Sequence, residues 1–242
     1  MDLKAALQYL VSLKGASTFD INGTYYADRE LHMIEEPKYK KKNIEFGSLD
    51  AIVKMVQTEL EDYLNAEGAP LFIQVKDYLT VEVFSRADER EARNWPYTAK
   101  CRDASFSEGY RSQQKAIIEL RSRFIPTDDS EYLLNLISRI NNEQGVQSED
   151  NGVSQKVVTK QGVTLMSSEA VKPRLTLQPF RTFREVPQPE SEFILRLNDD
   201  GDVGLFEADG GIWKLEAKDN IKAYFDKALA REIDEGLVVV MV

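Results

Sequence analysis

RTFREVPQPESEF, Arg181–Phe193, gathers two arginines, two phenylalanines, two prolines and three glutamates, without a glycine loop, a metal-ligand cluster or a histidine to activate a nucleophile. Pro187 and Pro189 hold their neighbours to extended backbone and remove two amide donors. The stretch therefore reads as a corner or sheet edge between strands. Strand alternation places Phe180 on one face and Arg181 with Phe183 on the other. Arg181 and Arg184, three apart, then point to opposite sides of an ideal strand. Phe183 and Phe193 are expected in a β-rich core, with Glu190 and Glu192 solvated or meeting basic groups of a neighbouring subunit.

Around this corner the pattern is β-rich. Val153 to Met166 turns at Gly162, and Arg174 to Phe180, Phe193 to Leu197, Val203 to Phe206 and Ile212 to Leu215 follow as strands. Asp219 is placed to cap a helix carrying Ile221, Tyr224, Phe225, Leu229 and Ile233, with Gly236 as its stop. The apolar end Leu237–Val242 needs a partner in a sheet or at a subunit contact, because a bare apolar strand invites aggregation.

The first half mixes periods. Leu3, Leu7, Leu10 and Val11 predict an amphipathic helix over 2–14. Asn22-Gly23 between Thr18–Ile21 and Thr24–Tyr26 predicts a tight hairpin. Lys38-Tyr39-Lys40-Lys41-Lys42 reads as a solvated loop or a phosphate contact. Ser48 caps a helix with apolar positions Leu49, Ile52, Val53, Val56, Leu60, Tyr63 and Leu64. Leu71–Val75 and Leu79–Phe84 make a hairpin around Lys76-Asp77-Tyr78, and Tyr97–Cys101 adds a strand. Ser112 to Arg123 is helical up to Pro126, and Asp128 with Glu131 offers a capping box for Tyr132–Ile140. Residues 141–152, NNEQGVQSEDNG, form a polar linker. The expected fold is α+β: a helix and hairpin region over 1–140, then a β-rich region over 153–242 closed by a helix and a terminal strand.

Composition bounds the function. The 242 residues carry 42% hydrophobic side chains, which excludes wholesale disorder, and a formal charge of −10, which argues against a protein that coats nucleic acid. One cysteine, Cys101, and one histidine, His32, provide neither a disulfide nor a zinc site. His32 sits among apolar neighbours and reads as structural rather than as a base, and Cys101 as a small buried residue. No secretory pattern and no apolar run of roughly 20 residues is present. The chain reads as cytoplasmic, away from membranes and free of cofactor and metal.

Carboxylates are the remaining catalytic candidates: Asp199, Asp200 and Asp202 around Gly201, and Glu207 with Asp209 before Gly210-Gly211. Hard oxygen ligands can hold magnesium or calcium, but a hairpin turn explains the first group better. Ser154–Val186 holds six basic against two acidic residues, a balance of +4, whereas Pro187–Val242 holds six against thirteen, or −7. Arg174, Phe180, Arg181, Phe183 and Arg184, with Lys172 nearby, are the candidate ligand-binding residues, because interleaved arginines and aromatic rings can grip phosphates and stack bases. An ordinary sheet with one core side accounts for the same pattern.

GVSQ at Gly152–Gln155, LQPFRTFREVPQPESEFILRL at Leu177–Leu197, LFEADGGIWKLEA at Leu205–Ala217 and NIKAYF at Asn220–Phe225 resemble a family of bacteriophage and prophage proteins with no assigned activity. RFIPTDDSEYLLNLI, Arg123–Ile137, extends the resemblance upstream. Such proteins are commonly encoded in early, non-virion regions near recombination and single-strand-binding genes. The resemblance implies an accessory role in replication, recombination or defence evasion and assigns no catalytic residue. The expectation is a non-enzymatic, self-associating protein of the infected or lysogenic host cytoplasm. The alternative is a protein that sequesters a phosphate-bearing ligand, either a nucleotide signal of host defence or single-stranded nucleic acid.

Overall fold

The computed structural model describes residues 18–21, 24–27, 43–87, 93–102, 106–141, 146–150, 155–161, 164–198 and 200–242. The chain falls into two compact units, Met1–Lys40 and Lys41–Val242. In the first, β1 (Thr18–Ile21) and β2 (Thr24–Ala27) pair antiparallel with Ile21 opposite Thr24. That is the register a two-residue Asn-Gly connection requires. The helix expected over 2–14, His32 and the run Lys38–Lys42 lie outside the described residues.

The second unit is α+β. β3 (Ile44–Phe46), β4 (Leu71–Asp77), β5 (Thr80–Phe84), β6 (Tyr97–Lys100) and β15 (Val238–Met241) form a mixed sheet in the order β15-β4-β5-β6-β3. Alternation along the hairpin sends Leu71, Ile73, Val75, Val81 and Val83 to one face, where they are buried. Two helices cover that face: α1 (Leu49–Glu67) with Leu49, Ile52 and Val56, and α4 (Trp213–Ala228) with Ile221 and Phe225. Ser48 caps α1, its Oγ accepting from the Ala51 amide at 3.3 Å.

β7 (Gly109–Arg111), β8 (Phe124–Ile125), β12 (Arg174–Pro179), β13 (Ser191–Leu197) and β14 (Val203–Glu207) form an antiparallel sheet in the order β7-β14-β13-β12-β8. α2 (Gln113–Arg123) and α3 (Asp128–Asn141) bury Leu120, Leu133 and Ile137 against Leu175, Phe193 and Leu205 in a second core. β9 (Val146–Asp150), β10 (Gln155–Gln161) and β11 (Thr164–Val171) make a third, three-stranded antiparallel sheet. Five of the twelve residues expected to be a linker, Val146–Asp150, are thus strand.

Three local expectations are corrected. The capping box at α3 belongs to Thr127 and Ser130, one residue earlier than expected: Thr127 Oγ1 accepts from the Ser130 amide at 3.1 Å, and Ser130 Oγ accepts from the Thr127 amide at 2.8 Å. Asp129, in the first turn of α3, accepts from Lys172 Nζ at 3.0 Å and the Thr176 amide at 2.8 Å, tying α3 to β12. Ile212–Leu215 is not a strand, because Trp213, Ala217, Ile221 and Phe225 recur every four residues as the buried stripe of α4. Asp219 accordingly lies inside α4 rather than at its cap, and α5 (Ala230–Asp234) follows before Gly236, whose φ of +72° reverses the chain. The terminal strand β15 pairs in parallel with β4, Val238 opposite Leu71. The closing helix and strand therefore complete the sheet that the first half of the chain began.

Candidate functional site

The six expected ligand residues do not converge. Lys172 is exposed, pairs with Asp129 and lies 4.9 Å from the Tyr132 ring centroid. Arg174 pairs with Glu192 at 2.7 Å on the outer face of the antiparallel sheet. Arg184 is exposed and stacks 4.4 Å from the ring centroid of half-buried Phe180. Phe183 is fully buried, in the core under α1 and α4 rather than in the β-rich one. Arg181 is buried at 3% exposure. The physical reason is that residues 180–190 turn instead of running as a strand, so sequence neighbours diverge.

Arg181 is the centre of a polar cluster. Its Nη1 donates to Glu207 Oε1 at 2.7 Å, and its Nη2 donates to Ser191 Oγ. Ser191 Oγ in turn donates to Asp209 Oδ2 at 2.7 Å, while Glu207 Oε2 accepts from Trp213 Nε1 at 3.2 Å. The guanidinium carbon lies 3.9 Å from the Trp213 ring centroid. Burial pulls the Arg181 guanidinium below its ordinary value, opposed by the charges of Glu207 and Asp209. It stays a cation, as arginine does. Burial pushes the Asp209 carboxyl up, but hydrogen bonds from Ser191 and the Gly211 amide, with the Arg181 charge, outweigh it and leave it below its ordinary value. Glu207 and Asp209, weighed in the sequence as metal ligands, thus serve a buried arginine and the first turn of α4. Asp200 and Asp202 belong to the β13–β14 turn, where the Asp202 amide donates to Asn198 Oδ1 at 2.7 Å, and Asp199 lies outside the described residues.

Beside this cluster opens a cleft of about 210 Å³ lined by Tyr78, Glu108, Arg181, Glu207, Trp213 and Lys214, among others. Tyr78 comes from the β4–β5 turn and Trp213 from the start of α4, their rings edge to face at 4.7 Å. Thr182 Oγ1 donates to the Tyr78 carbonyl at 2.6 Å, bringing that turn to the Arg181 corner.

Sequence reasoning missed Gln188, which organises the corner. Its Oε1 accepts from the Arg181 and Thr182 amides at 2.9 and 3.1 Å, and its Nε2 donates to the Phe183 and Val186 carbonyls at 2.8 and 3.2 Å. A glutamine between two prolines is the one available signal, since such a loop must satisfy its backbone groups with side chains.

A second feature is an apolar row on the face of the mixed sheet opposite the helices, exposed at its ends and buried at Phe84, which is 7% exposed. Val239 stands opposite Phe72, and Phe72 opposite Phe84, with those two rings stacked at 5.3 Å. Trp95 continues the row 4.5 Å from Phe84, and Arg93 lies over both phenylalanines. Val239 and Trp95 are 37% and 41% exposed. β15 is the edge of this sheet, so its outer side meets no strand among the described residues.

No known family matches the chain, and neither a curated protein nor a solved structure is similar to it. Among the described residues no group of three or more His, Cys, Asp or Glu is arranged to hold a metal ion, and no helix is long and apolar enough to cross a membrane.

Proposed function

We propose that the protein acts without catalysis, as a self-associating binding protein whose copies join through the free edge of β15. The observation that carries this reading is the continuity of that edge with the apolar row Val239, Phe72, Phe84 and Trp95. A sheet face in contact with water is ordinarily polar, and an edge strand ordinarily carries lysine or proline against unwanted pairing. Val238–Met241 carries neither. Two β15 strands meeting antiparallel about a two-fold axis satisfy each other's outer backbone groups. Four residues a side fall short of the roughly 1,200–2,000 Å² of a standard interface, so the apolar row must contribute and a weak dimer follows. The phrases that resemble phage early-region proteins add the further proposal that the setting is an infected or lysogenic bacterial cell.

Light scattering over a concentration series, on the native chain and on Val239→Lys, tests this. The native chain is expected to rise from monomer to dimer mass, and the variant to stay monomeric with unchanged unfolding. A native chain that stays monomeric throughout, or a dimer indifferent to the lysine, would sink the reading.

A further inference from the structure

The cleft beside Arg181 has an uneven account of hydrogen-bonding capacity. Both Glu207 oxygens are committed, one to Arg181 and one to Trp213, and Glu108 Oε1 accepts from the Glu207 amide at 2.8 Å. The Trp213 indole N–H is committed as well. What remains is of the opposite kind. Lys214 Nζ lies 5.7 Å from the ring centroids of both Tyr78 and Trp213 and has no carboxylate partner among the described residues. Tyr78 Oη has no hydrogen bond there either. Arg181 Nε is buried without a partner on a side chain more than nine-tenths buried. Buried polar groups are almost always satisfied, and an arginine held this tightly keeps its field in a medium that screens poorly.

We infer that this cleft is a binding site for a small ring-bearing oxyanion. Lys214 Nζ and Tyr78 Oη are the donors that meet the oxyanion. Arg181 lines the same cleft and adds positive potential; its Nη atoms are committed to Glu207 and Ser191, which leaves the unpartnered Nε as its one free donor toward the ligand. The spare oxygen of Glu108 accepts an N–H of the same ligand, and the Tyr78 ring offers an apolar wall. Glu108 and Glu207 offset the two cations, which disfavours a polyphosphate and favours a ligand with one oxyanion and at least one N–H donor. The cleft of about 210 Å³ is open to solvent, so it seats the oxyanion and part of a mononucleotide-sized ligand without enclosing it, and not a strand of nucleic acid. Two classes meet this description, a mononucleotide and an aromatic amino acid. This site is distinct from the β15 edge and does not depend on self-association.

Calorimetric titration of the full chain with adenosine monophosphate, adenosine and tryptophan separates them. One equivalent of adenosine monophosphate or of tryptophan is expected to bind, the responding probe naming the source of the oxyanion. Lys214→Ala is expected to weaken that binding by about tenfold or more, and Tyr78→Phe by about threefold. Lys214 is exposed and unpaired, so its removal leaves the fold and the mass in solution intact. Absence of binding by either oxyanion at millimolar concentration, adenosine binding as tightly as its monophosphate, or an affinity untouched by Lys214→Ala would each overturn the inference.

Discussion

Phe183 and Phe193 bound one short corner of the chain yet lie in different hydrophobic cores, each at 1% exposure or less. Phe183 packs beneath α1 and α4 of the mixed sheet, and Phe193 lies between the antiparallel sheet and its helices. The residues between them hold the corner to its surroundings. Glu185 Oε1 accepts from the Leu49 amide at 2.8 Å at the start of α1, and Asn220 Nδ2 of α4 donates to the Pro187 carbonyl at 3.0 Å. A carboxylate at a helix N-terminus answers the unpaired amides there and the positive end of the dipole.

Removing either ring empties a close-packed space. Phe183→Ala and Phe193→Ala are each expected to lower the unfolding free energy by about 3–5 kcal/mol, measured by urea denaturation. The two phenylalanines belong to separate clusters, so the double variant is expected to lose the sum of the two within about 0.5 kcal/mol. A markedly smaller combined loss would mean that the corner joins the cores into one energetic unit.

Gln188 tests the polar half of the corner. Gln188→Leu keeps most of the volume but strands the Arg181 and Thr182 amides and the Phe183 and Val186 carbonyls in a buried place. Each stranded group costs about 1–3 kcal/mol, so a loss of at least ~3 kcal/mol is expected even if water rescues some of them. Hydrogen exchange at the Arg181 and Thr182 amides is expected to accelerate in the same variant. A change below about 1 kcal/mol would show that the loop needs no internal amide.

Asp209 predicts an acid limb of stability. Its folded value lies below the ordinary aspartate value of 3.8, so the unfolded chain takes up the proton first as pH falls. The stabilisation is complete above that ordinary value and is lost as pH drops through the folded one. Asp129, also below its ordinary value although burial opposes the Thr176 and Lys172 hydrogen bonds, has the same sign. Asp209→Asn is expected to flatten the stability profile below pH 4 relative to the native chain. An unchanged slope would remove Asp209 from the set of groups that govern acid unfolding.

Much of the local structure was legible because its causes are local. Ser48 before an apolar stripe, alternation in Leu71–Val75 and the prolines at 187 and 189 act within a few residues, and α1, β4 and the corner sit where they predict. The same local signals misled where two periods overlapped. Ile212–Leu215 reads as a short apolar run, and only packing on the mixed sheet selects the helical stripe through Trp213.

The sequence by itself determined the α+β class, the main hairpins and helices, and the fact that Arg181–Phe193 is a corner. Tertiary structure alone decided the partners. Parallel pairing of Val238 with Leu71 joins residues far apart in sequence, and no periodicity in either strand encodes which edge the other will find. The fates of Arg181 and Arg184 were likewise undecided: one is buried against Trp213 and Glu207, and the other lies exposed over Phe180. Burying a cation is tolerable only where carboxylates and hydrogen-bond acceptors already wait, and Glu207, Asp209 and Ser191 reach that place only after the sheets have packed.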